Sequence, residues 1–220
     1  SLKRSWKKRR LKSQMTIDAS IVKDLRSRTG AGIMDCKEAL LDSDGNVEKA
    51  IDFLRKKGIA KAEKKAGREA DQGVILSYIH PGNRIGVLVE VNCETDFVAK
   101  TDGFQTFVKN VAMQIAATNP LSVTRGGIDS VVVDKEKEIF TEQAKLSGKP
   151  DNVLEKIIEG RIEKFHQENC LLEQSFIKDS DKSVQDILME TIAMLGENIS
   201  IARFSRFEVG DALSSNGQAE

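Results

Sequence analysis

The sequence predicts an α+β protein, in which a small helical module precedes a core that packs a three-stranded antiparallel sheet against helices. Two patterns predict this. Apolar residues recur at helical spacing between positions 17 and 66, and β-rich runs follow position 72 and lie near the end of the chain. With 220 residues, 40% of them hydrophobic, the chain can bury one substantial core and a small second module.

Three short helices make up the predicted helical module, which we assign to residues 15–60. The first helix contains Ile21 and Leu25, one turn apart, and ends at the sequence TGAG. The second ends at DSDGN, and the third follows Asn46 as its N-cap and stops at Gly58. The charged, alanine-rich residues 61–71 have the composition of an exposed helical linker.

The predicted α+β core, residues 72–210, begins with a β-hairpin, because GVILSYIH and RIGVLVEV are joined by the turn sequence PGN. A corner follows, and then an amphipathic helix that ends at Asn119-Pro120. We expect two charged helices next, near residues 133–146 and 151–168, and another helix after Ser183 as N-cap. The sequence NISIARFSRFEVG alternates as the third strand.

The formal net charge is zero, but the charges are unevenly distributed. Residues 1–14 hold seven Lys or Arg and no acid, so the rest of the chain carries 27 bases against 34 acids. We expect this basic leader, and the polar tail at residues 211–220, to be disordered. The mildly acidic body has no nucleic-acid footprint, so any RNA contact is expected through the leader alone.

Sequence motifs of catalysis are missing. No GxxxxGK[ST] or GxGxxG phosphate-binding loop and no GxSxG nucleophile motif occurs. The two histidines, His80 and His166, lack metal-ligand spacing, and the three cysteines are scattered. No apolar run approaches the roughly 20 residues that span a bilayer. We therefore predict a protein without covalent catalysis, metal, cofactor or membrane segment.

The corner between the hairpin and the next helix places a carboxylate beside a large aromatic side chain. Thr95 is a candidate N-cap, and Asp96 is an acid in the first turn, where the helix dipole favours it. Phe97 either packs inward against the helix or projects outward to contact a partner. The residues alone leave these two alternatives open.

Two long stretches carry a family resemblance. VKDLRSRTGAGIMDCKEAL and VLVEVNCETDFVAK closely resemble the two signatures of elongation factor Ts, and the match extends to SYIHPGNRIGVLVEV and GENISIARFSRFEVGD. It covers the chain from about Met15 to Asp211. The chain resembles the short form of the family, which has one sheet-bearing core unit where the long form has two. The wording of the signatures is most similar to cyanobacterial and plastid members.

The resemblance implies a guanine-nucleotide exchange factor that binds elongation factor Tu and promotes GDP release. Its N-terminal module, similar to a ubiquitin-associated domain, would dock on the nucleotide-binding domain of Tu. Asp96 and Phe97 match the pair that intrudes near the bound magnesium, and His80 matches a histidine on the second core unit of the long form. The family pattern thus implies these partner-binding residues: Lys23, Arg26, Ile33, Met34, His80, Thr95, Asp96 and Phe97.

Ile33 departs from the pattern, since many members carry Met there; the change keeps apolar bulk and loses flexibility. Because only one core unit is present, we expect two chains to pair, so that residues 72–210 also form a dimerisation domain. The resemblance implies a bacterial cytoplasmic or plastid stromal location. Two other functions stay open: an RNA- or ribosome-associated protein that acts through residues 1–14, and a GTPase, which the missing phosphate loop opposes.

Overall fold

The computed structural model describes residues 17–65, 67–146 and 150–211. Across these ranges eight helices accompany a three-stranded antiparallel sheet, which confirms the predicted α+β class. The predicted leader, residues 1–14, and all of the predicted tail except Asp211 lie outside the described residues. No helix in the described ranges is long and apolar enough to cross a membrane.

The first three helices match the predicted helical module. Leu25 from the first helix, Cys36 and Leu40 from the second and Ala50 from the third are completely buried together. The side chain of Asn46 accepts a hydrogen bond from Lys49 N (3.0 Å) and so caps the third helix as predicted. The helices are α1 (Ala19–Thr29), α2 (Ile33–Asp42) and α3 (Val47–Glu63).

The prediction that Gly58 ends the third helix is wrong, because α3 continues through it to Glu63. A Cβ built on Gly58 would lie 3.1 Å from Cβ of Ala193, which is tighter than most side-chain contacts. Glycine at this position therefore permits close packing of two helices and does not terminate one. Ala62, in the predicted linker, is also completely buried.

The chain forms two compact units, and the division does not follow the sequence order. Of the described residues, the first unit contains those up to Arg68 together with Met189–Asn198, and the second contains those from Glu69 to Leu188 and from Ile199 to Asp211. In the first unit, Asn198 Nδ2 donates a hydrogen bond to the Arg68 carbonyl oxygen (2.7 Å), and Lys65 Nζ donates to the Gly196 carbonyl. The late segment Met189–Asn198 thus completes the unit that contains the first three helices.

The sheet of the second unit joins the early hairpin to the last strand, as predicted. β2 (Ile85–Cys93) lies between β1 (Gln72–Ile79) and β5 (Ile199–Glu208), and it pairs with both of them antiparallel. Its alternate residues Val87, Val89 and Val91 are buried. They face the helix Asp102–Thr118, called α5, whose Phe104, Val108 and Ile115 are completely buried, so the sheet and this helix form the core of the second unit.

The predicted helix after the hairpin is two helices. A four-residue helix, α4, ends at Ala99, and a new N-cap, Thr101, accepts a hydrogen bond from Phe104 N (3.3 Å) and starts α5. α5 ends at Asn119-Pro120 as predicted, with Asn119 in the left-handed conformation. The two helices are α4 (Asp96–Ala99) and α5 (Asp102–Thr118), and three later helices confirm the predicted ones: α6 (Ser130–Lys145), α7 (Asp151–Asn169) and α8 (Val184–Leu195).

A short second hairpin, β3 (Ser175–Phe176) and β4 (Asp179–Ser183), was not predicted. It is attached to α5 by buried amides: Gln114 Nε2 donates to the Ser175 carbonyl oxygen (3.1 Å), and Gln114 Oε1 accepts from Ile177 N (2.8 Å). Ser183 then caps α8 as predicted, since its Oγ accepts from Asp186 N (3.1 Å).

We predict that Gly73→Ala destabilises the second unit by about 1–3 kcal/mol. Gly73 has a φ of +150°, and a Cβ there would overlap the Val91 carbonyl oxygen and lie 2.7 Å from Cα of Asn92. Urea denaturation of the purified chain measures the change in free energy of unfolding. The control is Gly160→Ala in α7, where a Cβ meets nothing within 4 Å, and we expect it to stabilise by about 0.5–1 kcal/mol. Equal stability of the two variants would contradict the close approach at Gly73.

Candidate partner-binding surfaces

Phe97 projects into solvent at the end of β2, with 79% of its surface exposed. It lies in α4 next to Asp96, and we call residues 95–100 the tip. Thr95 caps this helix as predicted, because its Oγ1 accepts a hydrogen bond from Val98 N (3.3 Å). The inward-packing alternative for Phe97 therefore does not hold, and its apolar surface is available for contact.

The direction of Phe97 follows from the residues around it that are buried. Ala99 is almost completely buried, and on a helix two positions are separated by about 200°, so Phe97 must point the opposite way. On the other side of the corner Cys93 is completely buried, and its Sγ donates to the Thr95 carbonyl oxygen (3.1 Å). The buried side chains of Cys93 and Ala99 thus fix the backbone on which Phe97 points outward.

An ion pair crosses the tip. Lys100 Nζ donates to Asp96 Oδ2 at 2.7 Å, with both side chains exposed. This hydrogen bond is the main reason that the pKa of the Asp96 carboxyl lies below its ordinary value. Asp96 is therefore an anion at neutral pH, and its charge is partly neutralised by a neighbour in the same chain.

His80 lies at the opposite end of the same strand pair. It begins the turn that joins β1 to β2, where its backbone N donates to the Ile85 carbonyl oxygen (2.9 Å). Its Nδ1 lies 3.1 Å from the hydroxyl of Tyr78, and its ring is exposed. β2 separates this turn from the tip by eight residue steps, which amount to roughly 26 Å. One chain therefore does not bring its own His80 and Phe97 together.

The face of the sheet away from α5 is exposed and largely apolar. Phe207 on β5 and Ile79 on β1 lie on either side of Gly86, and Phe207 is 70% exposed. The next rows add Leu88, Ile75 and an ion pair between Glu90 and Arg203 (2.7 Å). We call this surface the outer sheet face; its exposed apolar residues are Ile75, Ile79, Leu88 and Phe207.

In the first unit, the predicted docking residues lie on α1 and at the start of α2. Lys23 and Arg26 are exposed on α1, and Ile33 and Met34 begin α2 with 55% and 75% of their surfaces exposed. Neither of these two apolar residues packs into the core of the helical module. The structure thus groups Lys23, Arg26, Ile33 and Met34 in one unit, and Thr95, Asp96, Phe97 and His80 in the other.

A lysine holds α2 in place behind these residues. Lys57 on α3 donates to Glu38 (2.6 Å) and forms an ion pair with Asp35 (3.0 Å), both on α2. The hydrogen bonds to these two carboxylates, first to Glu38, raise the pKa of Lys57. Asp35 directly follows Met34, so the contact fixes the turn of helix that carries the exposed apolar pair.

The described ranges contain no group of three His, Cys, Asp or Glu residues that could hold a metal ion. The sequence interpretation missed two residues that the structure identifies, one in the tip and one that contacts it. Lys100 could have been found, since its spacing of four from Asp96 is that of a helical ion pair. Gln105, whose Nε2 donates to the Ala99 carbonyl oxygen (2.6 Å), carried no recognisable signal.

Comparison with known proteins finds similarity to one group of translation factors over most of the chain. A family model described as "Elongation factor TS" matches residues 58–211. Elongation factor Ts of Geotalea daltonii is 61% identical over 199 residues, 90% of this chain and 92% of that protein. Elongation factor Ts of Thermoanaerobacter pseudethanolicus is 60% identical over 200 residues, 91% of this chain and 98% of that protein. Elongation factor Ts of Syntrophomonas wolfei is 60% identical over 197 residues, 90% and 92% respectively.

We predict that Lys100→Gln raises the pKa of Asp96 toward its ordinary value, because the ammonium that stabilises the carboxylate is removed. A folded-state pKa below the unfolded one contributes stability at neutral pH that is lost as the pH falls through the lowered pKa. The variant should lose this small acid-dependent contribution. Titration of the Asp96 carboxyl carbon by NMR measures the shift, with Lys109→Gln on α5 as the control. An unchanged Asp96 midpoint in Lys100→Gln would contradict the ion pair.

Proposed function

The chain belongs to the elongation factor Ts family, and from that premise we propose that it binds elongation factor Tu in its GDP-bound state and accelerates GDP release. It breaks no covalent bond in doing so. The observation that supports this most directly is the exposed Phe97 beside the charged Asp96, on a helix that buried neighbours hold in place. The proposed location is the bacterial cytoplasm or the plastid stroma.

The exchange proceeds by competition between two ligands of Tu. This chain binds best to a conformation of Tu in which magnesium and the diphosphate are poorly held. Thermodynamic linkage then requires the two effects to be equal: binding of this chain lowers the affinity of Tu for the nucleotide, and nucleotide binding lowers the affinity of Tu for this chain by the same factor. Excess GDP with magnesium should therefore displace the chain from Tu. This mutual weakening requires no chemical step at either protein.

The tip supplies the differential contact in this proposal. Phe97 inserts into apolar packing of Tu and stabilises the displaced arrangement by about 1.5–3 kcal/mol when fully buried. Asp96 brings a negative charge close to the waters that Mg²⁺ sites usually retain. Its ion pair with Lys100 leaves the carboxylate ionised, so it can act as a hydrogen-bond acceptor at neutral pH.

The helical module supplies affinity that does not depend on the nucleotide. Met34 presents adaptable apolar surface and Ile33 a stiffer one, and Lys23 and Arg26 add positive charge on α1. Docking through these side chains holds the tip at its site on Tu. Each tenfold increase in release rate needs about 1.4 kcal/mol of barrier lowering, so a buried Phe97 alone accounts for one to two decades.

We further propose that two chains pair through their outer sheet faces. Four exposed apolar side chains on one sheet face favour burial against an identical face. The roughly 26 Å along β2 supports the same pairing, because His80 of one chain and Phe97 of the other could then serve one Tu molecule. Glu90 and Arg203, already paired across β2 and β5, can enter such an interface without leaving an unpaired charge.

We predict that Phe97→Ala slows Tu-bound GDP release by about tenfold to a hundredfold, since a buried aromatic contact is removed. Stopped-flow fluorescence with labelled GDP measures the rate, and circular dichroism checks that the fold is kept. Leu121→Ala, which alters an exposed apolar residue elsewhere in the second unit, is the matched control and should be fully active. Full activity of Phe97→Ala would remove the tip from the mechanism.

We predict that Phe207→Ser on the outer sheet face shifts the chain toward monomer, because it replaces the most exposed aromatic of the proposed interface with a polar side chain. Sedimentation equilibrium measures the shift, with Leu121→Ser as the control.

A mixing experiment tests the shared site: equimolar Phe97→Ala and His80→Ala chains should regain activity that neither has alone, because each mixed dimer keeps one intact site. A parent chain that is monomeric and fully active at assay concentration would contradict the pairing.

A further inference from the structure

The tip helix is too short to hold its own conformation. α4 has four residues, and its carbonyl groups lack the following turn that would normally pair with them. The backbone bonds that remain are few: Ala99 N donates to the Thr95 carbonyl (3.2 Å), Lys100 N donates to the Phe97 carbonyl (3.3 Å) and Thr101 N donates to the Val98 carbonyl (3.0 Å). None of these three bonds reaches the Ala99 carbonyl, and side chains outside the helix supply further partners.

Two of these partners come from the start of α5. Thr101 Oγ1 donates to the Val98 carbonyl oxygen (2.7 Å), and Gln105 Nε2 donates to the Ala99 carbonyl oxygen (2.6 Å). The Gln105 bond is the longer link, since it joins residues six positions apart and belongs to the first full turn of α5. The Thr101 side chain has a second role, because it also caps α5. Gln105 takes part in the helical hydrogen bonds of α5 through its backbone, so its side-chain amide is free for the bond to Ala99.

Gln105 is itself held by a rigid part of the core. Its backbone N donates to the Thr101 carbonyl (3.0 Å), and its neighbours Phe104 and Val108 are completely buried under the sheet. Its amide therefore transfers the fixed position of α5 to the last carbonyl of α4. Ala99, which carries that carbonyl, is nearly buried, so the oxygen has limited access to water as a replacement partner.

Phe97 depends on this bond more than a core residue would. Because most of its side chain is in solvent, no packing within the described part of the unit can fix its direction. The direction is set by the backbone of α4 alone, two residues before Ala99. Order in the α4 backbone thus determines how much of the time Phe97 points in one direction.

We propose that Gln105 is a positioning residue for the tip: its hydrogen bond to the Ala99 carbonyl oxygen holds α4 so that Phe97 enters its partner without a prior ordering step. This inference rests on the proposed exchange function and adds a residue that does not touch Tu. A tip ordered before contact loses less conformational entropy on binding, so the gain is expected in the step that Phe97 performs.

The test is Gln105→Leu, which keeps the side-chain size and helix propensity and removes the donor. At saturating concentration of the variant, the maximal rate of GDP release from Tu should fall about threefold to tenfold, the effect of one net hydrogen bond. The concentration that gives half of the maximal rate should stay the same, because the helical module is unchanged.

Gln105→Glu should lower the maximal rate at least as much, since its ionised carboxylate faces the Ala99 carbonyl. Thr106→Leu, an exposed position on the same helix, is the control and should keep the parent rate.

A double variant separates positioning from general damage. If Gln105 acts through Phe97, Gln105→Leu with Phe97→Ala should be no slower than Phe97→Ala alone, and amide exchange of Val98 and Ala99 should quicken in Gln105→Leu. Additive losses in the double variant, or a parent rate for both Gln105 variants, would overturn the proposal. If Phe97→Ala slows exchange and Gln105→Leu does not, the inference on Gln105 fails while the proposed function stands. If Phe97→Ala itself has no effect, the proposed mechanism of the tip fails first.

Discussion

The antiparallel pairing of β2 with strands on both of its sides is the interaction on which the second unit depends. β2 is the only described strand that has two neighbours in the sheet, and its inward valines are buried against α5. One end of it leads from the turn that carries His80, and the other end leads directly into the tip. A central strand is the least mobile part of a small sheet, because both of its edges are hydrogen-bonded. Both proposed contact regions of this unit are therefore attached to its most stable element.

The side chains proposed to bind a partner contribute little to the fold that holds them. Phe97, Ile33 and Met34 are all more than half exposed; Phe97 follows the ion-paired Asp96, and Met34 precedes the ion-paired Asp35. Cys93 and Ala99 anchor the tip, and Lys57 anchors α2 through Asp35. Stability and contact are thus assigned to different side chains of the same short segments. Such a division lets an exposed residue change without unfolding the chain, which is what makes tests of contact interpretable.

Periodicity and capping chemistry predicted most of the secondary structure, because both are local properties of the chain. Thr95 and Ser183 were recognised as N-caps, and the hairpin and last strand were found from their alternating residues. Gly58 was misjudged because its role depends on Ala193, which lies far away in sequence. The outward direction of Phe97 and the contact of Gln105 with Ala99 are likewise three-dimensional facts. The residues of the candidate site came from the family resemblance, and the residues that hold them came from the structure.

The late segment Met189–Asn198 has a consequence for how the protein is made. The bond between Asn198 and Arg68 closes a loop of 130 positions, so the helical unit is incomplete until these later residues have left the ribosome. At ribosomal speeds of about 5–20 residues per second, that delay is roughly 6–26 s. During this time the helical module has its own core of Leu25, Cys36 and Leu40 but lacks the packing of Ala193 against Gly58. A protein of the translation machinery thus completes its helical unit only after residues 69–188 of the sheet-bearing unit have been translated.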